Sequence, residues 1–217
     1  MRNICLTAVL SFAAGFTAAA LAAPPQRVEI SYEVNRNGLT LAEVTHRLEH
    51  DGRVYKLTEN WKGRGFLALK GDATRTSEGV VAADGLRPRK FEDKRSGRDT
   101  LHADFDPAAK VPTLQQQDQL SLVWSFAFAP PAKEVSVSVA DGKRVSHYTY
   151  QPAGRERVKT PAGEFDALKF VKKRDRPEDK ITEIWFAVER QYLPVRLLIV
   201  DKEGTRVDQV ASRIVLQ

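Results

Sequence analysis

The chain contains a single cysteine, Cys5, and a single methionine, Met1. Nothing beyond position 5 can supply a thiol nucleophile, a disulfide or a cysteine ligand for zinc. A long apolar run is also missing after the first two dozen residues. The nearest approach, Ile184–Val200 (IWFAVERQYLPVRLLIV), is 17 residues long, short of the ~20 that a membrane-crossing helix needs. Glu189, Arg190 and Arg196 interrupt it and Pro194 breaks it; charges at mid-bilayer cost several kcal/mol. It reads instead as two strands joined by a turn at Glu189–Tyr192, near the centre of a sheet. The nucleophile elbow G-x-S-x-G, the P-loop, the dinucleotide fingerprint and H-E-x-x-H are all absent, which removes the common hydrolase, nucleotide and zinc-protease signatures.

What is present begins with the N-terminus. Arg2 is followed by an uncharged run of apolar and small residues from Ile4 to Leu21, and Ala20-Leu21-Ala22 forms an A-x-A site. This is the pattern of a secretory signal peptide. We expect residues 1–22 to be cleaved, leaving 23–217 as one β-rich domain without cysteine. Lys and Arg number 34 and Asp and Glu 28; losing Arg2 takes the excess from +6 to +5. On an exported protein this mild basicity points to solubility or to anionic envelope material, not to nucleic acid.

Alternation dominates the rest. Val28, Ile30, Tyr32 and Val34 alternate with polar residues, and Asn37-Gly38 supplies a tight hairpin turn. Ala42, Val44, His46 and Leu48 continue on the next strand, and Tyr55, Leu57 and Trp61 share a face of a third. Val135, Val137 and Val139, then GEFDALKFV, KITEIWFAV and LPVRLLIVD, extend the pattern. This gives about ten strands at hairpin spacing, an antiparallel meander. One segment departs from it. TLQQQDQLSLVWSFAFAPP lacks glycine; Thr113 and Gln116 fit a capping box, Leu120, Val123, Trp124 and Ala127 make a helical stripe, and Pro130-Pro131 ends it. The expected fold is therefore mainly β. A curved antiparallel sheet, or partly open barrel, wraps one short helix near Leu114–Phe128.

Chemistry is sparse. His46 and His50 fall on a strand, where i, i+4 residues lie about 13 Å apart, too far to share a metal. His102 and Asp104 share a strand face, but no nucleophile is linked to them. The carboxylate pairs Glu92-Asp93 and Glu178-Asp179 sit within basic segments, which lowers their pKa and suits them poorly as general acids. No catalytic residue, metal or cofactor is expected. Two stretches, Arg87–Arg98 and Lys172–Lys180, read as charged loops, with Arg87, Arg89, Lys90, Lys172, Lys173 and Arg174 as a basic surface.

The order of the blocks DGRVYKLT, DGLRPRKFE, HADFD, DQLSLVWSF, TPAGEFDA and EIWFAVERQYLPVRLLIV resembles the domain-of-unknown-function family 3108 of bacterial exported proteins. The resemblance runs from Val28 to Leu216. It implies a periplasmic or envelope location and brings no activity. At the level of architecture it is similar to the half-barrels of periplasmic lipoprotein carriers, which implies a lipid or other apolar ligand in the concave face. We expect Leu120, Trp124, Phe128, Trp185 and Tyr192 to line such a site. Two other readings stand beside it: an envelope assembly factor that works through a sheet edge or its basic loops, and a hydrolase of envelope polymer built on His102 and Asp104.

Overall fold

The structure, a computed structural model, describes residues 23–109 and 111–217; the segment expected to be a signal peptide, residues 1–22, lies outside them. Among the described residues thirteen strands form one sheet. They are β1 (Arg27–Arg36), β2 (Leu39–His50), β3 (Val54–Gly63), β4 (Ala73–Ala82), β5 (Gly85–Arg95), β6 (Leu101–Asp104), β7 (Gln117–Asp118), β8 (Val135–Ala140), β9 (Val145–Thr160), β10 (Gly163–Lys172), β11 (Ile181–Ala187), β12 (Leu193–Val200) and β13 (Arg206–Leu216). The sheet order is β6-β5-β4-β3-β2-β1-β13-β12-β11-β10-β9-β8-β7. Every neighbour is antiparallel except the short β7–β8 pair.

The meander closes on itself through β1 and β13, with Val28 opposite Leu216 and Val34 opposite Gln209. The first and last strands thus meet mid-sheet, and both edges come from the middle of the chain. The sheet curls until those edges approach. Gly142, in the β8–β9 turn, packs against Leu101 and His102 of β6, so the barrel is nearly closed. Short edges covered in this way present little free ladder to another chain. Alternation makes the inner wall: Val28, Ile30, Tyr32 and Val34 of β1 are all buried, as are Ala42, Val44, His46 and Leu48 of β2. The β1–β2 turn has φ of 48° at Asn37 and 89° at Gly38, as its Asn-Gly sequence predicts.

Two expectations require correction. The basic stretch Arg87–Arg98 is not a loop; most of it is β5, with Leu86, Phe91 and Asp93 buried. Its inward residues are separated by charges that point out, so composition hides the strand. The strand count also rises above ten. The sequence reading did not register β4, which is rich in Thr, Ser and Glu and buries only Ser77 and Gly79. The two-residue β7 is too short to show a period and runs parallel to β8 across α1, whereas β6 pairs with its sequence neighbour β5 as a hairpin.

Gly79 marks a register shift between β4 and β5, and a Cβ there would overlap the main chain of Arg87 and Pro88. Backbone cannot give way as a flexible side chain can. Gly79→Ala should therefore lower the unfolding free energy by about 1–3 kcal/mol. A change below about 0.5 kcal/mol in a urea titration would show that the pairing relaxes freely.

The helix α1 spans Ser121–Phe128, half the length expected. Thr113 and Gln116 do not cap it. Thr113 begins a three-residue 3-10 turn, and its hydroxyl donates to Asp84. Asp118 sets the start instead: its Oδ1 accepts the N–H groups of Leu120 and Ser121, both at 2.8 Å. Six of the eight helical residues are buried, on all sides of the helix, as a helix without charge should be when a barrel encloses it. Ser125 is used on β5: its Oγ accepts from Leu86 N–H and lies 3.1 Å from the Leu86 carbonyl, while Gln117 Nε2 donates to the same carbonyl. On the far side, Phe126 packs with Tyr150, Phe170 and Phe186 at centroid distances of 5.0 to 6.1 Å, filling one half of the barrel.

Candidate functional site

The other half is not filled. Beside α1, towards the end that carries the β1–β2, β8–β9, β10–β11 and β12–β13 turns, lies a cavity of about 520 Å³. That volume falls in the range of small-ligand sites. The helix contributes Leu122 and Val123, and Leu120 precedes it. Much of the wall is apolar, with Val34, Trp61, Val139, Ile184, Leu197 and Ile199 supplied by five different strands.

A polar network occupies the β2–β5 side of this wall. The Trp124 indole lies 3.3 Å from His46 Nδ1. An indole has only a proton to give, so Nδ1 accepts and the imidazole proton sits on Nε2. From there it is donated to Glu59 Oε2 at 3.0 Å. The other Glu59 oxygen accepts from Arg75 at 2.7 Å; Arg75 also meets Asp93 at 3.1 Å, and Arg95 completes the line on Asp93. Burial works to raise the Glu59 pKa, but the hydrogen bonds from His46 and Arg75 and the Arg75 charge outweigh it, and the carboxyl titrates below its ordinary value. Asp93 behaves alike, with burial opposed by Arg95 and Arg75.

This network was missed in the sequence, although one signal was available. His46 shares the inward parity of Ala42, Val44 and Leu48, and Glu59 that of Tyr55, Leu57 and Trp61. A titratable residue on an apolar parity needs a partner. Which partner serves is decided by register: His46 stands opposite Glu59, Glu59 opposite Arg75, and Arg75 opposite Asp93.

On the facing wall, Tyr148, Lys172, Lys180 and Thr182 reach the cavity, with Asp141 and Arg144 from the β8–β9 turn at its mouth. The Lys172 ammonium stands 4.8 Å above the Tyr148 ring.

The five residues expected to line a ligand site are dispersed. Leu120 does line the cavity. Trp124 lies behind it, fully buried and turned to His46. Phe128 packs edge-on against His50, 5.1 Å away. Tyr192 sits half-buried in the β11–β12 turn with φ of 57°. Trp185 faces the opposite side of the sheet, the inward parity on β11 belonging to Thr182, Ile184 and Phe186. Although only 2% exposed, it is covered from outside by Lys169 at 4.9 Å and Arg196 at 4.7 Å, and its indole donates to Glu156. Burial in a strand does not fix the face, and cation–π packing covered this ring on the convex side.

The six basic residues do not form one patch. Arg87 is half-buried and donates to the Val111 carbonyl and to Thr113; Arg89 is exposed on β5, and Lys90 pairs with Glu92. Lys172 belongs to the cavity, Lys173 pairs with Glu134, and Arg174 donates to the Pro177 carbonyl. His102 and Asp104 are both exposed on β6, and His102 lies 3.7 Å from Glu92. Among the described residues no group of three or more His, Cys, Asp or Glu is placed to hold a metal ion. No helix among them is long and apolar enough to cross a membrane.

A family model described as "Protein of unknown function (DUF3108)" matches residues 30–210. The chain belongs to that family. The match takes in β2 to β12 whole and the residues of the cavity wall named above. No curated protein matches the DUF3108 chain. Among solved structures it is similar to a β-barrel-like protein of the domain of unknown function DUF1849 from Brucella abortus. The identity is 10%, the TM-score is 0.52, and 89% of this chain and 99% of that one are covered. It also matches a Bacteroides fragilis protein described as exported, with a YmcC-like fold (12% identity, 91% and 100% covered, TM-score 0.41). A Parabacteroides distasonis lipoprotein matches at 12% identity, with 90% and 98% covered and a TM-score of 0.37. At such identities the first similarity establishes a shared β-barrel-like fold and nothing about activity.

Proposed function

We propose that this DUF3108 protein is a non-catalytic binding protein of the periplasm, which holds a lipid or other apolar ligand in its barrel lumen. The observation that carries the reading is the cavity of about 520 Å³ between α1 and the sheet, walled largely by aliphatic and aromatic side chains. A β-barrel of this size that served only as a scaffold would gain stability by filling such a space, because unfilled apolar volume is costly. The signal-peptide pattern supports export, and the carboxylates of the lumen are engaged with cations, an arrangement that suits binding better than acid catalysis.

Native mass spectrometry of protein purified from an envelope fraction without detergent should show an additional bound mass, and solvent extraction should identify it as a lipid. Val123→Trp, which fills the lumen from the half-buried side of α1, should abolish that mass while the protein remains folded. No bound mass, together with no thermal shift on adding envelope lipids, would sink the reading. A reproducible protein partner with a lumen empty of lipid would favour an assembly factor instead.

A further inference from the structure

The charges of the lumen are unequally satisfied. On the β2–β5 side each ionic group has a counter-ion: Glu59 has Arg75, and Asp93 has Arg75 and Arg95. On the β9–β11 side two ammonium groups do not. Strand alternation turns Lys172 inward with Phe170, and Lys180, just before β11, lines the cavity mouth on the side of Thr182 and Ile184. Among the described residues neither lysine meets a carboxylate. Their outward neighbours do: Lys169 pairs with Glu183 and Lys173 with Glu134, each at 3.0 Å. Lys172 is held over Tyr148 and Lys180 is exposed at the mouth. Arg144 joins them from the β8–β9 turn. It stands 3.8 Å from Asp141, whose Oδ1 is already taken by the backbone N–H groups of Lys143 and Arg144. Arg196, also at the wall, is neutralised by Asp208 at 2.7 Å; Glu59 and Asp141 then face Arg75, Arg144, Lys172 and Lys180, an excess of two positive charges around an apolar space.

A neutral ligand that filled this space would strip water from the ammonium groups and return nothing, which is unfavourable. An anionic head would pair with them at the mouth and leave the chain for the apolar interior. We infer that the lumen takes an amphiphile with one anionic head, a carboxylate or a phosphate, held by Lys172 and Lys180 with Arg144. Its chain runs down towards Leu120, Val123 and Ile184. The inference rests on the proposal that the lumen binds an apolar ligand, and adds the class of head group.

Titration calorimetry with dodecanoate, dodecyl phosphate, dodecanol and inorganic phosphate, below the micellar range, separates the two. Dodecanoate and dodecyl phosphate should bind about tenfold or more tightly than dodecanol, since ion pairs with the ammonium groups are being compared with a hydrogen bond to an uncharged hydroxyl. Inorganic phosphate should bind far more weakly than either. The double variant Lys172→Gln, Lys180→Gln should reduce both anions to the affinity of dodecanol and leave dodecanol binding as tight or tighter, because the ammonium groups no longer lose water to it, which shows that the lumen is intact. Lys180→Gln alone, at an exposed position, should give part of the loss. Equal affinity for all three chains would overturn the inference and leave apolar binding standing. Binding of none of them would overturn apolar binding itself. Inorganic phosphate as tight as dodecyl phosphate would reduce the lysines to a surface anion site and overturn the inference.

Discussion

Replacing Trp124 with alanine will lower the unfolding free energy by about 3–5 kcal/mol, the range for truncating a fully buried large aromatic. Domains of this kind have about 5–15 kcal/mol to lose, so the variant will be marginal at 37 °C. Two effects act together. Trp124 is 0% exposed at the centre of α1, so truncation leaves a hole between the helix and the sheet. It also deprives His46 Nδ1 of its hydrogen-bond donor, inside a wall where an unmatched acceptor is expensive. Trp124→Phe distinguishes the two, because it keeps most of the ring and removes the N–H. It should cost about 1–3 kcal/mol. Urea unfolding followed by circular dichroism measures both. A loss under about 1 kcal/mol for Trp124→Ala would mean that α1 is not the plug of the barrel.

The second large effect belongs to Glu59. Its carboxylate joins His46 to Arg75, with only 13% of the side chain exposed. Glu59→Gln removes the charge that Arg75 pairs with and weakens the acceptor for His46. Breaking one partner of a buried pair costs about 3–5 kcal/mol; Arg75 retains Asp93, so the lower end of that range is expected. The pH dependence follows from the direction of the shift. The folded carboxyl titrates below its unfolded value, so its contribution is complete above the ordinary carboxylate pKa and is lost as pH falls through the folded one. The gap between wild type and variant should therefore be widest near neutrality and close in acid, below about pH 4. A gap independent of pH from 7 to 3 would show that the carboxylate charge is not what stabilises this wall.

These two sites show how far the sequence could be read. Trp124 is legible as a core residue because a charge-free segment ended by Pro130-Pro131 has to be buried. The length of α1 was not legible: Thr113 and Gln116 satisfy a capping pattern, yet Asp84 takes the Thr113 hydroxyl, and Asp118 accepts the first free N–H groups of the helix. Lys172 was read as loop surface and Trp185 as lumen, and the fold exchanges them. Each residue is adjacent to others of either parity, and a shift of one residue in a strand reverses its face. Glu59 and Arg75 have no local relation at all, being 16 residues apart in sequence and opposite one another only once β3 and β4 pair.

By itself the sequence determined the elements with strong local causes. The period of two in β1, β2 and β8 gave strands, Asn37-Gly38 gave a hairpin, and the charges within Ile184–Val200 ruled out a membrane helix. The order of its blocks pointed to the family. Tertiary structure decided the rest. Pairing of β1 with β13 closes the sheet across nearly the whole chain, and that closure sets which face of every strand looks inward. It places the His46–Glu59–Arg75 line on one wall of the lumen and two unpaired lysines on the other. Local sequence cannot carry these outcomes. They depend on the register of paired strands and on the curl of the sheet, which brings walls from distant parts of the chain to face one another.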